Sequence, residues 1–150
     1  MLHLTRTNSD NADFRLLVAL LDQYLQIIDG DDHAFYAPLN TIGRIKHVMV
    51  AYLDDEPVAC GAFREYSANL VEIKRMFVQP ACRGQGIAKA VLAELEWWAQ
   101  ESAYVGAVLE TGKKQSEAIQ LYEKSGYVRT VNYGQYAGIA NSMCMQKQLA

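Results

Sequence analysis

The chain has 150 residues, of which 51% are hydrophobic and 21% are charged, and its formal net charge is −3. This length and apolar content suit a single core, so we expect residues 1–150 to form one domain. The absence of a basic block excludes an extended nucleic-acid surface and favours a small-molecule partner. No apolar run is long enough to cross a membrane, and residues 1–11 lack the layout of a signal peptide, so a cytoplasmic location is expected.

The three cysteines suggest neither disulfides nor a metal site. Cys60, Cys82 and Cys144 are odd in number and far apart. A disulfide framework uses an even number of cysteines, and structural zinc sites use closely spaced pairs. We therefore expect no bound metal.

The first half of the chain predicts one helix followed by strands. Apolar residues at helical spacing over residues 17–28 predict a helix that begins near Asp10, where that residue or a neighbour caps it. Residues 29–44 are irregular and predict a loop. The segments 47–53 and 58–66 predict a hairpin around the turn DDEP, and residues 70–78 predict a third strand of an antiparallel meander.

The second half predicts a β-α-β unit. Apolar spacing over 87–98 predicts a helix, and 105–111 predicts a strand parallel to 70–78, reached by a right-handed crossover. A last helix over 116–125 ends at a glycine cap, and closing strands are expected near 127–131 and 142–149. The order of elements predicts an α/β (α+β) fold with a mixed, mostly antiparallel central sheet and flanking helices.

The most informative stretch joins strand 70–78 to the following helix. Arg83, Gly84 and Gly86 lie in it. The first amides of a helix are unpaired and carry the positive end of its dipole, and glycines let an anion approach the backbone. A phosphate or pyrophosphate is the expected ligand, although a loop that only turns the chain fits the same letters. The stretch matches neither the nucleotide P-loop nor the dinucleotide fingerprint.

The strand that leads into this loop changes phase. Val71 and Ile73 keep a period of two, whereas Met76 and Val78 are one step out of phase, which predicts a bulge near residues 74–75. A bulge would separate this strand from its parallel neighbour and leave backbone groups free to pair with an amide-containing ligand such as pantetheine. Coenzyme A combines that peptide-like arm with a pyrophosphate.

These segments resemble the GNAT superfamily of acyl-CoA-dependent N-acetyltransferases. RGQGIA at 83–88 matches the [QR]-x-x-G-x-[GA] signature, and EAIQLYEKSGY at 117–127 looks like the second hallmark. The resemblance implies a β-α-β acyl-CoA cleft and acetyl-CoA (coenzyme A) as co-substrate. Many members have asparagine where this chain has Gln115. The resemblance assigns acyl-CoA binding to Met76, Phe77, Val78, Arg83, Gly84, Gln85, Gly86, Ile87, Ala88, Gln115 and Ala118.

Two side chains are candidates for catalysis. An alkylamine is almost entirely protonated at neutral pH, so acetyl transfer benefits from a base. Glu72 is the acid on an otherwise apolar strand, at a position that carries the catalytic glutamate in relatives, and an edge carboxylate facing water is the equal alternative. Tyr122 matches the family's tyrosine that donates to the departing sulfur, and a core aromatic is the alternative.

The acceptor is expected above the separated strands, bordered by residues 29–44 and 132–142. Acids at 29, 31 and 32 would attract a cationic amine, whereas Lys74 or Arg75 could pair with a substrate carboxylate. The candidate acceptor residues are His33, Tyr36, Arg75, Tyr133 and Tyr136.

The sequence therefore predicts a single-domain acetyltransferase. We expect it to acetylate a primary amine of a small metabolite, amino-acid-like or polyamine-like, by direct attack in a ternary complex. A protein lysine or N-terminus is an alternative acceptor, and a non-catalytic acyl-CoA sensor is an alternative of another class. A homodimer is an expectation that comes from the family alone.

Overall fold

The computed structural model describes residues 1–30 and 44–149. Within these ranges the chain forms three α-helices, which are α1 (Ala12–Asp29), α2 (Ile87–Glu101) and α3 (Ser116–Lys124). Short 3-10 turns cover Pro80–Cys82 and Gly134–Tyr136. The strands are β1 (Leu2–Thr7), β2 (His47–Leu53), β3 (Glu56–Glu65), β4 (Leu70–Val78), β5 (Gly106–Gly112), β6 (Val128–Thr130) and β7 (Ser142–Gln148).

The strands form one mixed sheet in the order β1-β2-β3-β4-β5-β7-β6. Its neighbouring strands are antiparallel except for β4 and β5, which are parallel and are joined through α2. This arrangement confirms the predicted α/β fold, with its mostly antiparallel sheet and its β-α-β unit.

Hydrophobic clusters on the two faces of the sheet hold the helices in place. Val48 and Val50 of β2 belong to the cluster that contains α1, while Met49 and Ala51 belong to the cluster that contains α2. This alternation follows from the period of two in a strand, which sends successive side chains to opposite faces. The sheet is therefore covered on both sides, and its central strands are buried.

Most predicted element bounds agree with the structure, and β1 is the main omission. The prediction for β4 matches its observed bounds, whereas α2 runs three residues further than predicted, to Glu101. Asn11 caps α1, because its side chain accepts a hydrogen bond from the Phe14 amide at 2.9 Å. The edge strand β1 pairs with β2, about 40 residues away along the chain. The sequence prediction omitted this strand: Leu2 and Leu4 alternate with polar residues, but the segment is short and its partner strand is distant in the chain.

β4 contains the bulge that the sequence predicts. Its register against β3 shifts by one residue, so that Arg75 and Met76 together face Gly61. Arg75 has φ +60°, a left-handed conformation that non-glycine residues seldom adopt outside such irregularities. β4 pairs with β5 only over Leu70–Glu72, and the two strands diverge beyond that point. We call this divergence the fork.

Gly61 gives the bulge its space, and we expect Gly61→Ala to destabilise the protein. An added Cβ would lie 2.5 Å from Met76 Sδ and 2.8 Å from Leu95 Cδ1. Overpacking of this kind reduces the free energy of unfolding by about 1–3 kcal/mol. Chemical denaturation of the variant and the parent measures the difference.

A second substitution tests whether the clash with Met76 causes this loss of stability. Met76→Ala removes the closest clashing atom, so the double variant should lose less stability than the sum of the two single variants. Strict additivity of the two losses would mean that Gly61 and the bulge are not coupled.

Candidate active site

A cleft of about 590 Å³ lies beside the end of β4, the start of α2 and one side of α3. This volume is within the range of about 300–1,000 Å³ typical of ligand and cofactor pockets. Every residue that the family resemblance assigned to acyl-CoA binding lines this cleft except Gln85, whose side chain is exposed. Assignment of these residues to acyl-CoA contact remains a prediction, and their placement around one cleft supports it.

The loop at the mouth of the cleft has the open backbone that the predicted anion site requires. Gly84 and Gly86 have φ values of +80° and +79°, which favour glycine, and a Cβ at either position would meet no atom within 4 Å. Gly86 is the N-cap of α2, and the first turn of that helix carries no acidic residue. Unpaired amides and open space at a helix N-terminus fit a pyrophosphate.

The side chain of Arg83 holds this loop against its surroundings. Its Nε donates a hydrogen bond to the Val78 carbonyl at 3.0 Å, and its guanidinium lies over the Tyr24 ring at 5.2 Å from the centroid. One guanidinium nitrogen is also 3.8 Å from the Glu117 carboxylate. Arg83 therefore links the loop to β4, α1 and α3, and its own amide lies in the predicted pyrophosphate loop.

A smaller cavity of about 80 Å³ opens at the fork. We call it the polar recess, because its walls include Asp29 of α1 and Glu110 of β5. Three polar or sulfur-containing residues line both the recess and the larger cleft, namely Met76, Gln115 and Tyr122. The two cavities are therefore adjacent, and we call their shared boundary the junction; Gln115, which replaces the asparagine of many family members, places an amide side chain there. A thioester in the cleft and an amine in the recess would meet there.

Glu72 lies in the wall of the recess and is 3% exposed, so it does not face water. Its Oε1 accepts a hydrogen bond from Arg64 Nε at 3.0 Å, and its Oε2 accepts one from the Tyr133 hydroxyl at 2.7 Å. Lys74 Nζ is 3.9 Å from Oε1. Both oxygens are thus occupied by neighbouring side chains, and the role of Glu72 as base remains a prediction.

Tyr122 is both a core aromatic and a cavity residue. It is 6% exposed and packs edge to face against Tyr127, with the ring centroids 5.8 Å apart. Burial raises the pKa of the Tyr122 hydroxyl, and the nearby Glu110 raises it further. The hydroxyl therefore stays protonated at neutral pH and can donate a hydrogen bond at the junction.

The predicted acceptor residues are only partly brought together. Tyr136, which is 2% exposed, and Arg75 line the recess, and the Arg75 guanidinium forms an ion pair with Asp22 of α1. Tyr133 is not in the wall, and it contacts the site through its hydrogen bond to Glu72. The remaining predicted positions lie outside the described residues: His33 and Tyr36, together with Asp31 and Asp32.

The sequence pattern did not single out Glu110. It occupies an otherwise apolar strand, VGAVLET, and an isolated acid in such a strand is the same signal that identified Glu72. Burial raises the pKa of Glu110 to about 7, partly offset by a hydrogen bond with Ser142 and by the charge of Lys74. Burial also lowers the pKa of Lys74. The wall of the recess therefore holds ionisable groups whose pKa values differ from those in water.

Two structural features are absent from the part of the chain that the structure describes. Over residues 1–30 and 44–149, no helix is both long and apolar enough to cross a membrane. The same part of the chain contains no group of three His, Cys, Asp or Glu side chains arranged to hold a metal ion.

Comparison with known proteins identifies the family. The model of the acetyltransferase (GNAT) domain family matches residues 44–129, which include β2 to β5, α2, α3 and the start of β6. The chain therefore belongs to the GNAT superfamily of N-acetyltransferases. It is an acetyltransferase, and acetyl-CoA is its co-substrate.

Individual relatives support this assignment. The chain is similar to the IAA acetyltransferase of Azospirillum brasilense, with 32% identity over 135 residues that cover 89% of this chain and 88% of the relative. A protein from Klebsiella pneumoniae, described as an acyl-CoA N-acyltransferase, has a crystal structure with a TM-score of 0.83 and 28% identity, covering 100% of this chain and 99% of the other. PaiA N-acetyltransferase from Thermoplasma acidophilum, solved with coenzyme A, shares the fold, with a TM-score of 0.74 and 15% identity over 99% of each chain.

The anion loop can be tested with Gly86→Val. A branched side chain at this left-handed position would strain the backbone and fill the space that the loop leaves open for the pyrophosphate. We expect calorimetric titration to show acetyl-CoA affinity at least about tenfold weaker, equivalent to about 1.4 kcal/mol.

Gly138→Val is the matched control. Gly138 has a similar φ of +76° and equally open surroundings, but it lines neither cavity. It should show the same backbone strain without the loss of affinity. Equal affinity in the parent and a folded Gly86→Val protein would rule out the loop as the pyrophosphate site.

Proposed function

We propose that this acetyltransferase transfers the acetyl group of acetyl-CoA to a primary amine of a small metabolite, by direct attack in a ternary complex. The observation that carries the proposal is the junction between the cleft and the polar recess, where Met76, Gln115 and Tyr122 line both. With the two substrates held on either side of this junction, the amine nitrogen reaches the thioester carbon without an acyl-enzyme intermediate.

The recess suits a small, charged acceptor. Its volume of about 80 Å³ holds an aminoalkyl group and little more. Buried carboxylates attract a cationic amine, and the two basic residues in the wall suit a molecule that also carries an acidic group, as an amino acid does. The charged residues of the wall are Asp29, Glu72, Glu110, Lys74 and Arg75.

A panel of acceptors tests this proposal through the release of free CoA thiol. The panel contains amino acids, polyamines, peptides with a lysine and peptides with a free N-terminus. It also contains IAA, the compound named in the A. brasilense relative. We expect turnover with small amines. Preferential turnover with peptides would favour the protein-acetylating alternative, and acetyl-CoA binding without thiol release from any acceptor would favour the non-catalytic sensor.

Within this function Tyr122 is the proposed donor to the departing sulfur. Its raised pKa favours hydrogen-bond donation to the developing thiolate over an ionised tyrosine. Tyr122→Phe keeps the ring and its packing, so we expect kcat to fall by about 10- to 1,000-fold, with acetyl-CoA affinity and Tm unchanged. Steady-state kinetics, calorimetry and thermal melting measure the three quantities.

Tyr127→Phe is the matched control for this substitution. Tyr127 is a buried tyrosine whose ring packs against Tyr122, but it lines neither cavity. Its loss of a hydroxyl should leave kcat nearly unchanged. Acyl-CoA analogues with a more acidic leaving thiol should restore part of the rate of Tyr122→Phe. A parental kcat for Tyr122→Phe would show that the hydroxyl has no role in the transfer.

A further inference from the structure

We propose that Glu110, rather than Glu72, accepts the proton of the acceptor amine. The inference rests on the acetyl transfer proposed above and assigns its proton acceptor.

Glu110 lies at the point where the fork opens. Val108 is the last residue of β5 that pairs with β4, and its partner is Glu72. Side chains two residues apart on a strand share a face, so Glu110 lies on the face of Val108, one step further into the diverging region. It lines the polar recess together with Tyr122, which also borders the acyl-CoA cleft. Its carboxylate is therefore on the acceptor side of the junction.

The hydrogen bonds distinguish the two carboxylates. Glu72 accepts from Arg64 and Tyr133, one bond on each oxygen. Glu110 has a hydrogen bond with Ser142, but its Oε2 is buried and has no hydrogen-bond partner in the part of the chain that the structure describes. A buried oxygen without a donor is costly unless a ligand supplies one. An ammonium group in the recess is such a donor.

Burial, modified by the surrounding charges, places the pKa of Glu110 near neutral pH. Burial raises its pKa to about 7, and a carboxyl group in this range is well matched to a base that works at neutral pH. The negative charges nearby raise the pKa, whereas the lysine and the hydroxyl lower it. The ionisable and polar groups around it come from every neighbouring element: Asp29 of α1, Glu72 and Lys74 of β4, Tyr122 of α3, Tyr136, and Ser142 and Cys144 of β7.

The proton and electron movements balance. The ammonium group gives one proton to Glu110, and the released lone pair forms the C–N bond to the thioester carbonyl carbon. As the C–S bond breaks, its electron pair leaves with the sulfur. A second proton passes from the nitrogen to the sulfur through the Tyr122 hydroxyl, which gives the acetamide and the CoA thiol. Glu110 then releases its proton to solvent.

The pKa of Glu110 also predicts an effect on stability. Its folded-state pKa of about 7 lies above the ordinary value of 4.5, so the charged form is disfavoured in the folded protein. This carboxyl group therefore lowers stability progressively as pH rises from about 4.5 through about 7, and the full effect is present above that range. Glu110→Gln should melt at a higher temperature than the parent above neutral pH. A side chain retained only for structure would show the opposite change.

The decisive measurement is the pH dependence of kcat/KM for the parent and three glutamine variants, with whichever acceptor releases CoA. We expect Glu110→Gln to lower kcat/KM by about 100-fold or more and to lose the fall in kcat/KM on the acid side of pH 7. Glu72→Gln should retain that acid limb, even if its rate is reduced through the contacts of Arg64 and Tyr133. Glu56→Gln, at the exposed first residue of β3, should match the parent.

Two results would overturn the assignment. One is an acid limb that persists in Glu110→Gln and disappears in Glu72→Gln. The other is a Tm for Glu110→Gln below that of the parent above neutral pH, which would give Glu110 a structural role and can be measured without turnover. Because the profile uses any active acceptor, an error in the proposed acceptor class would appear in the panel and leave this test intact.

Discussion

The separation of β4 from β5 is the constraint on which the site depends. In a continuous parallel sheet, the backbone groups of both strands would pair with each other and leave no room between them. Here pairing ends after Glu72, and the bulge at Arg75 redirects the rest of β4. The left-handed Arg75 costs about 1–3 kcal/mol, and its ion pair with Asp22, together with the hydrogen bond from Cys60 Sγ to its carbonyl, helps to hold it. The cleft and the polar recess both adjoin this divergence.

The fork also determines how the buried carboxylates differ. Burying a charge is unfavourable unless other groups compensate for the lost water. Glu72 receives that compensation from Arg64 and Tyr133, whereas Glu110 retains a buried oxygen that has no donor among the described residues. Glu72 is thus held by two donors, and Glu110 is the carboxylate that we propose for proton exchange. A destabilising group is often retained where function requires it. We propose that Glu110 is such a group.

Several features of this site follow from residues that are close together in the chain. The phase change in the strand after Leu70 predicted the bulge, and the structure confirms it at Arg75. The glycines at 84 and 86 predicted a loop open to an anion, and both adopt the left-handed conformation there. Such signals are local, because backbone conformation and helix termini depend mainly on the residues at that point. For the same reason, the bounds of β4 and the start of α2 were predicted correctly.

Only the tertiary structure decided which groups meet and in what state. The edge strand β1 forms by pairing with β2, which is distant in the chain. Tyr133, predicted to line the acceptor site, instead donates a hydrogen bond to Glu72, 61 positions away. The sequence presented Glu72 and Glu110 as two similar acids in apolar strands. Their difference comes from partners contributed by β3, β7 and the segment after β6. Local sequence determines the path of the backbone, whereas the protonation of a buried acid depends on the solvent exclusion and neighbours that the assembled fold supplies.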